Sequence, residues 1–441
     1  MLQCASSNGG TQSRASLADL PAAQRMASVR NTWSARTIWA NSSVRLIPAN
    51  AYLPRLGPLE MKKLTPRYRE WLRRRSLYVR MRRGLTRVRY AEFTTLSGRR
   101  LVKISNESPI PEILCLDRNN EESLVFFHDL RLRTIRKASG RIKPPTSKKK
   151  SRIGWVRSYT DFSKVRSITP GAALILAAEY DRVRRNTGII GAINLDKWDK
   201  NVLSTLSQLG FFELLGFPGD FSPNFEGGVD KNLIYIAPMR CGDNTDYREA
   251  ADDIRKLFLE VGGDMALKRH LFGAIVDAIE NVKGHAYGNS DNVRNLIPPL
   301  WWFSGSADPV KKILTLAIYD QGQTIPVTLP KKWPLEELTA MFAGAFGTQF
   351  RANTDEQDGE AVEAALRMSR SSTKLPERGK GLSKILNVVR QCPGGRMRLI
   401  SRRGHYIFSD GRGRHLTCST PLLGTFIELE ANFSNDGGEN G

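Results

Sequence analysis

The chain has 441 residues, 40% of them hydrophobic and 25% charged, which places it among folded globular proteins and excludes collagen-like, mucin-like and wholly disordered material. Its formal net charge of +23 attracts nucleic acid, anionic lipid or acidic protein whatever the fold. No apolar run reaches the roughly 20 residues that span a bilayer, the start lacks the apolar core of a secretory signal, and the five cysteines include no CxxC pair, so a multidomain cytoplasmic protein with reduced thiols and no membrane segment is expected.

Residues 1–60 mix Ser, Asn, Ala and Arg without a sustained period and are expected to form a disordered basic tail, a composition shared with organellar transit peptides. Residues 61–157 form a basic intermediate region and linker. From Lys62 to Lys103 the arginines cluster at 73–75, 80, 82, 83, 87 and 89, and Tyr68, Trp71, Tyr78 and Tyr90 are interleaved with them. Such a mixture neutralises phosphates while its rings stack on bases, so nucleic acid is one candidate partner; a solvated basic helix is the plainer alternative. Ile110 to Leu116 reads as strand or buried turn, and Glu121 to Ile135 as helix from the spacing of Leu124, Phe127, Leu130 and Leu132. Within it Phe127-His128-Asp129-Leu130-Arg131 looks like the phospho-accepting box of sensor kinases without its following proline, so an ordinary helical histidine is the expectation for His128. Arg136 to Arg157, with Lys148 to Lys150 and two prolines, reads as linker.

Residues 158–245 read as a small α/β module. Thr169-Pro170 is a helix start, Ala172 to Arg184 is periodic, Gly188 to Leu195 reads as strand, Asn201 to Leu209 as helix ending at Gly210, and Leu233 to Ala237 as strand. This element order, with the apolar run Leu209 to Phe217, resembles STAS-like domains, which carry regulatory protein contacts in bacteria. The resemblance implies a phospho-regulated contact at Thr169 or Ser167; an N-cap is the plainer role for either.

The chemistry lies between residues 250 and 433. Asp252 to Tyr287 reads as two helices, the second with a buried stripe of Leu271, Ile275, Ile279 and Val282. Asp277, Asn281 and His285 recur every fourth residue and so share one face, a polar seam beside the core stripe. Ile313 to Tyr319 is a strand apolar except at Thr315, and it runs into Asp320-Gln321-Gly322-Gln323-Thr324-Ile325-Pro326. A carboxylate at a strand end accepts from an exocyclic amine, and the missing side chain at Gly322 lets a planar ring approach the backbone. Arg378-Gly379-Lys380-Gly381-Leu382-Ser383 then opens a helix, offering free N–H groups and the charge of Lys380 to phosphate. Met397 to Ser401, Tyr406 to Ser409 and Thr425 to Leu429 read as three strands, with Gly424-Thr425 opening the last.

The ordered set of helical DxxxN, strand followed by DxGx, GxGL before a helix and a terminal GT strand resembles the ATP-binding domain of gyrases, heat-shock chaperones, histidine kinases and mismatch-repair proteins, the GHKL or Bergerat fold. The resemblance covers roughly Arg255 to Phe433. It implies an α/β sandwich with a mixed sheet and helices on one face, spanning residues 250–433, with ATP and magnesium as cofactors. It further implies that Asn281 coordinates the magnesium, Asp320 binds the adenine amine, Gly322 lies under the base, Gly379, Lys380, Gly381 and Leu382 form the phosphate cradle, and Thr425 lines the adenine side. Residues 331–378 would be a mobile lid, and residues 434–441 a disordered tail.

Two positions depart from the pattern. The carboxylate that positions water is usually Glu, whereas Asp277 is one methylene shorter, and Glu280 points about 100 degrees away from Asn281. Thr324 replaces the second glycine of the adenine loop, adding bulk and removing access to positive φ. The sequence thus suggests an ATP-binding regulatory protein whose switch is coupled to hydrolysis, as a monomer or homodimer. Its rivals are an anti-sigma-like serine/threonine kinase acting on a STAS-like protein partner, a nucleic-acid-associated switch using Lys62 to Lys103, and a degenerate domain that binds no nucleotide.

Overall fold

Two strands in the second half of the chain, β9 (Trp301–Asp308) and β10 (Ile313–Asp320), contain no exposed residue. A strand with one solvated face alternates buried and exposed side chains; these do not, so both faces of their sheet are covered. The computed structural model describes residues 65–82, 89–95, 98–138, 155–187, 191–217, 234–242, 248–261, 265–282, 286–287, 299–352, 354–371 and 381–433. The expected tails at 1–60 and 434–441 and the middle of the expected linker lie outside these residues.

In chain order, helix α1 (Pro66–Arg82) is followed by β1 (Arg89–Thr95), β2 (Gly98–Ser108), β3 (Ile113–Leu114), α2 (Asn120–Ala138), β4 (Trp155–Thr160), β5 (Ser167–Ile168), α3 (Pro170–Thr187), β6 (Ala192–Ile193), α4 (Lys200–Gln208) and α5 (Phe211–Leu214). Then come β7 (Tyr235–Ile236), β8 (Arg240–Gly242), α6 (Arg248–Val261), α7 (Met265–Asn281), β9, β10, α8 (Ile325–Lys332), α9 (Leu335–Phe346), α10 (Asp358–Ser371), α11 (Gly381–Gln391), β11 (Arg396–Ser409) and β12 (Arg412–Asn432). The chain divides into residues 1–71, of which only the first turns of α1 are described, and residues 72–441, which hold everything that follows.

The molecule is mixed α/β. Its main sheet has six strands in the order β11-β12-β10-β9-β7, with β8 also on β9, and every pairing is antiparallel. This corrects the expected mixed sheet with helices on one face. Trp302, Ala317, Tyr319, Ile400 and Phe426 face a core built with α2, α3, α4 and α5. Phe303, Leu316, Ile318, Leu399, Ile427 and Leu429 face the other core, built with α6, α7 and α11. The three strands expected after residue 396 are two: β11 and β12 form one long hairpin, and the register shift around Arg402, whose φ is +55°, bends the ladder without ending it.

The strands of residues 158–245 enter different sheets. β6 pairs with β1 in a four-stranded sheet of order β4-β2-β1-β6, while β7 and β8 join the main sheet. The β1–β2 hairpin therefore gives part of the basic stretch Lys62 to Lys103 a core of its own, with Ala91, Phe93, Val102 and Ile104 buried against Tyr159 and Ile193. The first half of α3 is apolar, and its Ala172 to Ala178 are completely buried among the main sheet, α2, α4 and α5, so α3 helps to cover one of that sheet's faces.

Within the expected lid, α9 and α10 pack on a satellite core of Leu329, Leu338, Phe342, Ala364 and Met368. Asp358 at the start of α10 is buried and accepts from Arg402 Nε at 2.6 Å and from the Arg403 N–H at 2.9 Å, which pins α10 to the hairpin. α9 and α10 are thus docked by a core and by the ion pair of the buried Asp358; residues 353 and 372–378 lie outside the described residues.

Candidate functional site

α7 buries Leu271, Ala274, Ile275, Ala278 and Ile279 against the sheet, which brings Asp277 and Asn281 out along its flank one turn apart. Asn281 is the last residue of α7, and α11 begins against it: a Cβ at Gly381 would lie 2.3 Å from Asn281 Nδ2 and 2.9 Å from its Oδ1. The Nδ2 atom is buried and has no hydrogen-bond partner among the described residues, a deficit of about 1–3 kcal/mol that a bound polar group would remove.

Asp320 ends β10, paired across the ladder with Thr425 on β12 and Trp301 on β9. Its side chain is buried and accepts from the Gly322 N–H at 2.8 Å. Burial pushes the carboxyl up to about 7, against the opposing pull of the Gly322 and Thr425 N–H groups and the charge of Arg131. Gly424, at φ +146°, passes so close that a Cβ there would sit 2.0 Å from the Asp320 carbonyl oxygen, so only glycine lets the two strands close here. Thr425 Oγ1 is 2.9 Å from Ser401 Oγ, which accepts the Ile325 N–H at 2.8 Å and so fixes the start of α8.

Between these elements lies a mostly apolar cavity of about 110 Å³. Asn281 comes from α7, Asp320 and Thr425 from the sheet, Leu382 from α11, and Leu329, Lys332 and Trp333 from α8 and the residue after it. Lys332 stands exposed at the rim, and desolvation by the neighbouring protein pushes its amine down to about 8.

Four of the residues singled out from sequence, Asn281, Asp320, Leu382 and Thr425, therefore line one cavity although the first and last are far apart in the chain. Gly381 abuts it through Asn281. Asp277 does not line it; its carboxylate is 3.5 Å from Lys384 Nζ. Gly322 is not open to a ring, because its bare face is filled by the Ala286 carbonyl, 2.2 Å from where a Cβ would stand, and Gln323 N donates to that same oxygen at 2.5 Å. Thr324 has φ −83° in extended backbone, so its position demands no glycine. Gly379, Lys380 and His285 lie outside the described residues. His128 is spent on structure, its Nδ1 donating to the Pro421 carbonyl at 3.1 Å.

Sequence reasoning missed the α8 wall. Its signal was present: Thr324 followed by Ile325-Pro326 is a helix start with proline in the first turn. It also missed the polar groups behind Asp320, for which no local signal exists. Compared with known proteins, the chain matches no protein-family model and no curated protein.

Proposed function

We propose that this cavity is the base-binding end of a Mg-ATP site and that the protein is an ATP-dependent regulatory switch. The observation that carries the reading is the buried Asp320 carboxylate on the wall of a mostly apolar cavity, where an exocyclic amine is the natural partner to satisfy it. At about 110 Å³ the cavity suits one ring system. Sugar and phosphates would extend past Asn281 toward the start of α11, where the helix dipole favours anions.

Among the described residues no group of three His, Cys, Asp or Glu side chains could hold a metal alone, so magnesium would arrive with the phosphates, with Asn281 Oδ1 as its protein ligand. When bound it would neutralise phosphate charge. Asp277 faces Lys384 at 3.5 Å and does not line the cavity, a placement that favours slow hydrolysis.

The test is equilibrium binding of Mg-ATP to the intact protein and to Asp320→Asn, with phosphate release followed in the same sample. Binding that is lost in the variant, with phosphate appearing in solution, supports the switch. Label from the γ-phosphate on a Ser or Thr would favour the kinase acting on a STAS-like partner instead. A wild-type protein that binds no adenine nucleotide rules the reading out.

A second reading rests on α1, a helix whose described side chains are nearly all exposed, with arginines along its length and Tyr68 stacked on Trp71 at a centroid distance of 5.4 Å. Such a surface suits single-stranded nucleic acid. Binding of a labelled oligonucleotide that fails to weaken steeply with added salt would exclude it.

A further inference from the structure

Behind Asp320, on the other face of the main sheet, lies a buried polar network that nothing in the cavity uses. Arg131 of α2 and Glu179 of α3 are fully buried and form a two-pronged ion pair, Nε to Oε2 at 2.8 Å and Nη2 to Oε1 at 2.5 Å. The Tyr319 hydroxyl donates to the same Oε1 at 3.0 Å and accepts from Arg131 Nη2 at 3.2 Å. Gln321 completes the set. Its Nε2 donates to Glu179 Oε1 at 3.2 Å, and its Oε1 accepts from Arg182 Nε at 2.7 Å. These two partners fix which end of the amide is which, because only the NH₂ can donate to a carboxylate and only the oxygen can accept from a guanidinium. The backbone N–H of Gln321 donates to the Tyr287 hydroxyl at 3.0 Å, and that hydroxyl donates to the Leu300 carbonyl at 2.6 Å.

Gln321 is therefore held at three points while standing next in the chain to Asp320. Side chains alternate across a strand, so with Tyr319 and Gln321 anchored on the α3 face, Asp320 is turned to the opposite face, where the cavity is. Among the described residues Asp320 itself has only backbone partners, the N–H groups of Gly322 two residues on and of Thr425 across the ladder. Its aim depends on its neighbour.

We infer that Gln321, clamped between Glu179 and Arg182 of α3 and tied to Tyr287, is the positioning residue that holds the Asp320 carboxylate in line for the amino group of a 6-aminopurine. The inference rests on the proposed base-binding role of the cavity and deepens it. It makes α3, which lines no part of the cavity, a determinant of which purine is accepted. A hydrogen bond to a charged group discriminates only when its geometry is held, and a site built to pair a donor penalises an analogue that lacks one. A loosened Asp320 can rotate away from an oxo group as readily as it can meet an amine, so the discrimination falls while the apolar contacts with the ring remain.

The experiment compares the affinities of ATP and ITP, which differ at the 6-position of the ring by amine against carbonyl, for the intact protein and for Gln321→Met. Methionine keeps the length of the side chain and cannot reproduce the clamp, and circular dichroism with a thermal melt establishes that the variant is folded. The expected result is that ATP affinity falls about tenfold while ITP affinity is little changed, so the ATP:ITP preference collapses. A purely structural Gln321 would weaken both nucleotides by the same factor or neither, and either outcome overturns the inference while leaving the base pocket standing. A wild-type protein with no preference for ATP over ITP removes the amine-reading role of Asp320 and this inference with it. Should Gln321→Met not fold, Tyr287→Phe takes its place: it removes the acceptor of the Gln321 N–H, and a preference that stays at the wild-type value in it overturns the inference equally.

Discussion

Gly381 sits on Asn281 so closely that a single added methyl group would come 2.3 Å from the amide nitrogen, which makes the first residue of α11 and the last of α7 one packed unit. Gly381→Ala must swing the Asn281 amide out of its present position, because the added methyl group meets the end of that side chain. The expected loss is about 1–3 kcal/mol of unfolding free energy, with weaker ATP binding, read from urea denaturation and equilibrium binding.

Asp320 has a pH signature. Its carboxyl ionises near its usual value of 3.8 in the unfolded chain and at about 7 in the folded one. Between those values the folded protein holds a proton that the unfolded chain has released, so this group's contribution to stability declines as pH rises from about 4 and is fully lost above about 7. Asp320→Asn removes the decline. Relative to wild type the variant should gain on the order of 2 kcal/mol between pH 5 and pH 8 in urea titrations, while losing ATP binding at both.

His405 runs the other way. It is buried on β11 with no partner for either ring nitrogen among the described residues. Burial, together with the charges of Arg398 and Arg414 and against the pull of Asp117, lowers its pKa from 6.5 to about 3. The folded state keeps the ring neutral, so stability is full above 6.5 and falls as pH drops toward 3. Wild type should lose about 2 kcal/mol from this group between pH 7 and pH 5, and His405→Phe should abolish that loss. An unchanged pH slope in the variant would show that another group causes it.

Asp358 anchors α10 to the hairpin through Arg402 and the Arg403 N–H. Asp358→Ala leaves the Arg402 guanidinium, mostly shielded from solvent, without its carboxylate, and should cost about 3 kcal/mol in unfolding free energy. Proteolysis within residues 347–371 should accelerate, and the cut sites can be read by mass spectrometry.

Lys332 borders the cavity without a carboxylate partner among the described residues. If phosphate supplies the missing charge, Lys332→Met weakens ATP several-fold and leaves adenosine unchanged in the same titration. Equal effects on both ligands would assign Lys332 to packing alone.

Much of the local structure was legible in the residues. The helical spacing of Leu124, Phe127 and Leu130, the Thr169-Pro170 start and the run Ile313 to Tyr319 each appear as an element, because a helix stripe and a buried strand write their periods into a few consecutive positions. The nomination of Asn281, Asp320, Leu382 and Thr425 likewise follows from short local motifs, and these four side chains do line a common cavity. Gly322 shows the limit of such reasoning, since the motif says that a side chain is missing there without saying what fills the space.

What the sequence by itself determined is therefore a part of the list of elements, among them α2, α3, α6, α7 and β10, and the residue types at their ends, both of which rest on contacts within a turn or two of chain. Tertiary structure alone decided which surfaces meet. α2, α3, α4 and α5 cover the second face of the main sheet, the Ala286 carbonyl closes over Gly322, and Glu179 reaches Tyr319 and Gln321, which lie 140 and 142 residues away. A continuous apolar run announces that a strand is buried on both faces but carries no record of its cover. Partners so distant in the chain become neighbours only when hydrophobic burial brings their elements together, and the buried polar groups must then be satisfied by whatever has arrived beside them.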